Sequence, residues 1–329
     1  MSEKILSISV AAYNVANYLP KLFEEFINCE NRDRLDIIVV NDGSTDDGET
    51  LRVAKSYAEK YSGFIRVIDK TNGGHGSTIN AGIENAVGKY FKPLDGDDWL
   101  DSKELDKLIL KLIDCTADLV VCNHMFYYEK NNQTKTIQFS LETDRKMPLD
   151  NAINFLNGLQ YHDVFYRTHI LKSNNIRITE NSFYTDSEFL VYPLKYVDSV
   201  IRYNFTPYVY RIGVEGQSVS VSGFLKHEKE HLVIFNKLVS FYEQNRKVWP
   251  ASMNNFLCDL LGMLATAHLS IYFYHPCSLS SMKEAIEFDE RVKQYPDIYK
   301  HCTTKTIRIW RKCRGILYIP TVLWMKLKA

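Results

Sequence analysis

Between Lys92 and Trp99 the chain reads Lys92-Pro93-Leu94-Asp95-Gly96-Asp97-Asp98-Trp99, which places three carboxylates within four residues directly after an apolar run. Like charges this close repel one another unless something positive sits among them. A hard divalent cation such as Mn2+ or Mg2+ favours carboxylate oxygens and commonly bridges to a diphosphate, so the segment can hold a metal that carries phosphate oxygens. The same residues also read as a solvated acidic turn capping the helix that begins near Asp101. A calcium loop of the EF-hand type is excluded, because its fifth and sixth positions need an oxygen donor and Gly where this chain has Trp99 and Leu100.

Two further segments carry possible chemistry. Val39-Val40-Asn41-Asp42-Gly43-Ser44-Thr45-Asp46 ends a buried strand with an acidic residue and a Gly that lets the backbone turn tightly; alone it is a common turn. Asn72-Gly73-Gly74-His75-Gly76-Ser77-Thr78-Ile79-Asn80 is a Gly-rich entry to a helix whose backbone N–H groups can receive an anion. Neither nucleotide fingerprint fits. The position after Gly74-x-Gly76 that must be small is Ile79, and Gly82 and Gly88-Lys89 are spaced one residue too far for a P-loop, with Tyr90 replacing its Ser/Thr. A dehydrogenase or a P-loop enzyme is therefore not expected.

The elements that must position these segments alternate along the chain. Strand patterns over 5–12, 36–41, 64–69 and 89–94 are separated by helical patterns over 18–29, 49–61 and 77–87. This predicts an α/β fold with a parallel sheet between helices. Ligands in such sheets sit beyond the carboxyl ends of the strands, where Tyr13-Asn14, Asn41 to Ser44, Asn72 to Gly76 and Asp95 to Asp98 all stand. A helix over 103–114, strands over 119–128 and 135–139, a helix over 149–159 and strands over 161–166 and 203–211 continue the domain. Beyond Ser222 helical patterns dominate, over 225–245, 254–274 and 281–295, so a boundary is placed there.

Taken in order and spacing, Ala11-Ala12-Tyr13-Asn14, Val39-Val40-Asn41-Asp42-Gly43-Ser44, Asn72-Gly73-Gly74 and Asp95-Gly96-Asp97-Asp98 resemble the family 2 glycosyltransferases, inverting enzymes of the GT-A fold, over roughly residues 5 to 220. The resemblance implies a Rossmann-like mixed sheet flanked by helices. Residues 1–102 would form its nucleotide-binding half and 103–222 its acceptor half, with 223–329 as a helical C-terminal region. It implies that Ala12, Tyr13 and Asp42 hold the nucleotide base, usually uracil, and that Asn14, Asn72, Gly73 and Asn80 line the donor pocket. Asp95 would lie near the ribose, and Asp97 with Asp95 would hold Mn2+ or Mg2+.

An acceptor hydroxyl must also lose a proton. The family uses an Asp in an E-D pair about 90 residues after the DxD motif, and Phe183-Tyr184-Thr185-Asp186-Ser187-Glu188 lies at that distance. Asp186 takes the base position; Thr185 replaces the usual Glu, which leaves Glu188 as the alternative base. Asp186 also reads as a helix N-cap. Tyr208-Val209-Tyr210-Arg211 and Gly216-Gln217-Ser218-Val219-Ser220 resemble a late family segment that closes over the donor, where Arg211 would pair with phosphate and Ser218 hydrogen-bond to it; Arg211 reads equally as a surface residue. His75 is either a ligand of diphosphate or sugar, or structural. The Arg that often precedes the position of Asn80 is here Ile79, so Lys70 and Lys92 are the candidates for its charge.

Composition sets the outer bounds. With 329 residues, 45% of them hydrophobic, the chain can hold one large domain or two modest ones. Forty basic residues balance forty acidic ones, so no nucleic acid is expected as partner. Seven Cys without a C-x-x-C pair read as reduced core thiols, and the short apolar run at the N-terminus is no signal peptide, which points to the cytoplasm. The apolar stretch Leu260 to Tyr274, about 15 residues, falls short of the roughly 20 that span a bilayer and reads as a buried helix. From Thr303 to Ala329 there are seven basic residues and no acidic one. On a helix over 307–319, Ile307, Trp310, Cys313, Ile316 and Leu317 oppose Arg308, Arg311 and Lys312. That helix either lies on an anionic membrane, at the inner face of the cell membrane, or docks on the protein's own core.

The expected function is metal-dependent transfer of a sugar from a nucleotide-diphosphate sugar, a UDP-sugar by resemblance, to a hydroxyl of a glycan or lipid-linked glycan, by a protein that can be a homo-oligomer. The rivals are a non-catalytic glycan- or lipid-binding subunit and a sugar nucleotidyltransferase. The second would carry a Gly- and Arg-rich loop with Lys after the first strand, which Ala11-Ala12-Tyr13-Asn14 does not resemble.

Overall fold

The computed structural model describes residues 3–213, 221–276, 278–312, 320 and 322. It forms two compact units, Met1–Val214 and Glu215–Ala329.

In the first unit, β1 (Leu6–Ala12), β2 (Leu35–Asp42), β3 (Ile65–Lys70) and β4 (Tyr90–Asp95) alternate with α1 (Leu19–Asn28), α2 (Glu49–Lys60) and α3 (His75–Asn85). Then come β5 (Trp99–Leu100), α4 (Ser102–Asp114), β6 (Leu119–Val121), β7 (His124–Tyr128), β8 (Gln133–Ile137), β9 (Met147–Pro148) and α5 (Leu149–Ala152). The unit ends with β10 (Val164–Arg167), α6 (Thr168–Ser173), α7 (Asp186–Val191), β11 (Ser199–Arg202) and β12 (Tyr208–Ile212). One sheet runs β3-β2-β1-β4-β10-β6-β11-β9 and a second, smaller one β5-β12-β7-β8. The strands β1 to β4 are mutually parallel, but β10 lies antiparallel to both β4 and β6, so the large sheet is mixed.

Local sequence explains these elements. Both faces of β1 and β2 are covered: β2 carries the continuous apolar run Ile37 to Val40, and β1 buries Ser7 and Ser9 between Leu6, Ile8 and Val10. Helix α1 buries Leu19, Leu22, Phe23 and Phe26 at helical spacing, and α4 does so with Leu105, Leu108, Ile109 and Leu112. Asp101 caps α4 by accepting from the Glu104 amide at 3.0 Å. Pro93 sits inside β4 without breaking it. Its neighbour β10 pairs only with Tyr90 and Phe91, so the missing N–H falls where that ladder has already ended.

Three stretches depart from the sequence expectation. The run 119–128 is two strands in different sheets, separated at Cys122 and Asn123, where the Asn123 amide donates to Phe205 O and its side chain accepts from Arg202 at 3.0 Å. The helix over 149–159 shortens to α5 and a single 3-10 turn, Ile153–Phe155. The strand over 161–166 begins instead as a 3-10 turn, Tyr161–Asp163, and becomes extended only in β10.

The second unit is helical: α8 (Val221–Lys226), α9 (Glu228–Asn245), α10 (Ala251–Tyr274), α11 (Leu279–Lys293), α12 (Pro296–Tyr299) and α13 (Lys305–Lys312). Helix α10 has 24 residues, more than the apolar run within it, and is long and apolar enough to cross a membrane by length and composition; 61% of that apolar window is buried. In α13, Ile307 and Trp310 are buried. Arg311, expected on a basic outer face, is turned into its own unit, where it donates to Asp289 Oδ1 and Cys302 O, both at 2.6 Å. Its guanidinium stacks 3.9 Å from the Tyr299 ring centre. The continuation of that helical pattern from Cys313, and Arg314, Lys326 and Lys328, lie outside the described residues, as do Cys277 and the segment around Ser218. The five described cysteines, Cys29, Cys115, Cys122, Cys258 and Cys302, are buried free thiols.

A buried pair of imidazoles makes this unit acid-sensitive. His231 and His268 stack with ring centres 5.2 Å apart. Burial lowers His231 to about 4 and, with help from the neighbouring imidazole, His268 to about 3. Both are neutral when folded, whereas an unfolded chain protonates them below the ordinary value near 6.5. Their contribution is complete above that value and declines as pH falls towards 4, by about 1.4 kcal/mol per histidine per pH unit. Urea midpoints followed by Trp fluorescence should therefore drop between pH 7 and pH 5. The drop should be visibly smaller in His268→Leu; an unchanged pH slope in that variant contradicts the assignment.

Candidate active site

The loops at the carboxyl ends of β1 to β4 are fastened to one another by side chains beneath them. After β1, Asn14 adopts φ +55° and ties its loop to the one after β2: its Oδ1 accepts from the Thr45 amide at 2.7 Å and its amide donates to Ser44 Oγ at 3.1 Å. Ala12 is buried, while the Tyr13 ring is 47% exposed. Asp42 is buried, and its carboxylate accepts from the amides of Gly73 at 2.9 Å and Gly74 at 2.8 Å and from Lys70 Nζ at 2.7 Å. It shapes the Gly-rich turn from below. Gly74 has φ +78°, a conformation that only glycine adopts without strain. Asn72 is exposed on top of the turn and donates to Asp42 O at 2.9 Å.

The turn is clamped in its other direction to the segment that precedes α7. Asn80 donates to Ile178 O at 2.9 Å and to Glu180 Oε1 at 3.0 Å, and accepts from the Ile178 amide at 2.9 Å. Both ends of its side-chain amide are thus engaged inside the protein. The Asn181 amide donates to Gly73 O at 2.5 Å, and Gly76 packs directly against the Thr179 carbonyl.

The acidic turn stands beside this clamp. Asp95, at the end of β4, forms an ion-pair contact with His75 Nε2 at 3.0 Å, and His75 Nδ1 meets Thr185 Oγ1 at 3.1 Å. Burial opposes the charge on His75, but the carboxylates of Asp95, Asp186 and Asp97 outweigh it and raise its pKa. Asp98 is buried and accepts from Tyr208 Oη at 2.6 Å and the Arg211 amide at 2.8 Å. Burial pushes its pKa well above the carboxylate range, and Asp97 and Asp95 push it further. Asp97 is half-buried, and its carbonyl accepts from Arg211 Nε at 2.8 Å.

The structure adds His162, which sequence reasoning missed. One ligand atom each from Asp95, Asp98 and His162 lies within 4.8 Å of the others, and Asp97 stands outside this group. Burial holds the His162 imidazole well below its usual pKa, which leaves it neutral with a lone pair to offer. Tyr161 Oη, at the same turn, is buried beside the Asp95 carboxylate and the Tyr208 hydroxyl. Two carboxylates, a neutral imidazole and a buried hydroxyl beside them fit a small divalent cation with its oxygen ligands.

Of the two candidate bases, Glu188 is fully buried and bonded to the Thr179 amide, Thr179 Oγ1 and Tyr192 Oη at 2.7 to 2.8 Å. Asp186 keeps solvent access, with a pKa raised chiefly by burial. It is the first residue of α7, and Thr185 holds the N-cap position that the sequence suggested for Asp186. Arg211 is not a free surface residue: its guanidinium pairs with Glu129 at 2.7 Å between the rings of Tyr18 and Trp99. Both lysines named for the charge of the missing Arg have partners inside the protein. Lys70 is held by Asp42, and Lys92 is completely buried, donating to Tyr161 O at 2.6 Å and His162 O at 2.8 Å.

Comparison with known proteins meets this geometry at its centre. The putative glycosyltransferase EpsH of Bacillus subtilis is 27% identical over 257 residues, covering 75% of this chain and 72% of EpsH. The chain spans only 13% to 22% of three longer rickettsial glycosyltransferases. Among solved structures, S. aureus TarS 1-349 in complex with UDP-GlcNAc superposes with a TM-score of 0.68 at 18% identity, over 97% of this chain and 90% of that one. The mannosyltransferase PcManGT of Pyrobaculum calidifontis, in complex with GDP-Man and Mn2+, does so with 0.55 at 16% identity, over 99% and 88%. These likenesses identify the fold as that of the GT-A glycosyltransferases. Residues 7–173, about half of the chain and all four loops with the acidic turn, match the family described as Glycosyl transferase family 2, and the chain belongs to that family.

Proposed function

We propose that this glycosyltransferase moves a sugar from a nucleoside-diphosphate sugar, a UDP-sugar in the first instance, to a hydroxyl of a glycan or lipid-linked glycan, with inversion at the anomeric carbon. The observation that carries the proposal is the convergence of Asp95, Asp98 and His162 with the helix that begins at Asp186, bridged by His75. The exposed Tyr13 ring, with Ala12 and Asn14 beside it, offers a face for the nucleotide base. Asp42, Asn72 and Gly73 shape the turn facing the donor. Arg211 exchanges its half-exposed partner Glu129 for a phosphate oxygen. Asp95, Asp98 and His162, with Asp97 adjacent, would hold a divalent cation, which supplies positive charge to the departing diphosphate. Asp186 takes the proton of the acceptor hydroxyl as that oxygen bonds to the anomeric carbon and the sugar–phosphate bond breaks, its electron pair leaving with the nucleoside diphosphate. A lipid-linked acceptor accords with the basic residues after Thr303, with Arg311 left out because Asp289 holds it.

Thermal-shift titration with UDP, GDP, CDP, ATP and NAD, each with Mn2+ and again with EDTA, tests the reading. A ligand that binds only the native state at 100 times its Kd adds about 2.7 kcal/mol of stability. The expected result is stabilisation by UDP that EDTA removes. A response to GDP alone changes the donor. No response to any nucleotide favours a non-catalytic glycan- or lipid-binding subunit.

A further inference from the structure

We infer that Lys92 is a positioning residue whose buried ammonium pins the Tyr161–Asp163 turn so that the His162 imidazole stands with Asp95 and Asp98. The inference rests on the proposal that these three groups hold a divalent cation. Lys92 lies in the middle of β4 with no exposed surface. Its ammonium meets no carboxylate in an ion pair among the described residues; it donates to two successive carbonyls, Tyr161 O at 2.6 Å and His162 O at 2.8 Å. The rings of Tyr208, Phe165 and Tyr161 surround it at 4.9, 5.1 and 5.2 Å from their centres.

Burying an ammonium in this way opposes folding, and an apolar side chain of similar length suits an aromatic core better. The arrangement makes physical sense through what it fixes. The turn is held from one side by His124 on Asp163 at 2.5 Å, and by Asp163 accepting from the Gln160 amide at 2.8 Å. Lys92 holds it from the other side. Asp95 lies three residues further along the same strand, so a single rigid element carries one acidic group of the site and the anchor of its imidazole. The separation of Asp95 from His162 is thereby set by β4 and does not depend on the conformation of a loop.

The test measures Mn2+ binding to the full chain by electron paramagnetic resonance for wild type, Lys92→Met, His162→Ala and the double variant, with circular dichroism to verify folding. Removal of a group that orients a metal ligand typically weakens metal affinity about 10- to 100-fold. Lys92→Met should fall in that range and His162→Ala should lose at least as much, and the double variant should bind no more weakly than His162→Ala, because Lys92 acts through His162. Wild-type affinity in His162→Ala overturns the cation assignment at that imidazole. Weakening in His162→Ala but not in Lys92→Met, or losses that multiply in the double variant, overturns the role of Lys92. Should Lys92→Met not fold, Lys92→Leu, which also removes the donor to both carbonyls, carries the same cycle.

Discussion

Asp186→Asn should lose sugar transfer by about a thousandfold while its donor-dependent thermal shift stays at the wild-type value. General-base catalysis contributes about 10²- to 10⁴-fold, and an amide of the same shape cannot accept the hydroxyl proton. In the proposed function the donor is bound by the loops after β1 to β4, which the substitution leaves in place. Glu188→Gln is the informative contrast. Glu188 accepts three hydrogen bonds in a fully buried position, so its variant should lose stability first and activity only as a consequence. Rates measured with saturating donor, set beside melting temperatures of both variants, separate the roles. Normal turnover by Asp186→Asn removes it as the base.

Gly76→Ala should destabilise the protein by about 3 kcal/mol, against the usual sign for such a change in a helix. Gly76 is the second residue of α3, where replacing Gly by Ala ordinarily stabilises by about 1 kcal/mol. Here the added Cβ overlaps the Thr179 carbonyl oxygen and presses on Ile178. Neither can retreat, because the Asn80 side chain bonds both the N–H and the C=O of Ile178. Overpacking of this kind costs about 1 to 3 kcal/mol or more. Gly63→Ala, with nothing within 4 Å of the new atom, should be close to neutral under the same urea titration. Equal midpoints for the two variants would show that the clamp between the Gly-rich turn and the α7 segment is loose.

Much of this architecture is legible from residue order. The strands and helices up to Asp95 follow short β-branched runs and helical apolar spacing broken by polar turns, and the sequence spans agree with β1 to β4 and α1 to α3 to within about two residues. Legibility fails where tertiary contacts override local pattern. The run 119–128, apolar apart from Asn123 and His124, reads as one strand, because the break is fixed by Arg202 and Phe205, about 80 residues away. Within the site, the acidic turn, the Gly-rich turn and Asp186 are visible through their spacing. His162 is not, since a lone His among tyrosines matches no motif. Its only trace is Lys92, a charge in an otherwise apolar strand, which the sequence offered as a substitute for the missing Arg and whose partners are the carbonyls of the hidden turn. Asn80 illustrates the same limit. Its position suggests the donor pocket, and its bonds run to the backbone of residue 178.

Asp42, Asn80 and Glu188 share a habit with a wider consequence: each grips main-chain atoms of a loop, namely the amides of Gly73 and Gly74, both polar groups of Ile178, and the amide of Thr179. The shape of each loop is thus inherited from one inward-facing letter elsewhere in the chain, and the loop's outward-facing letters are released from that duty. A lineage built this way can rewrite such outward-facing positions without having to reinvent the scaffold that presents them.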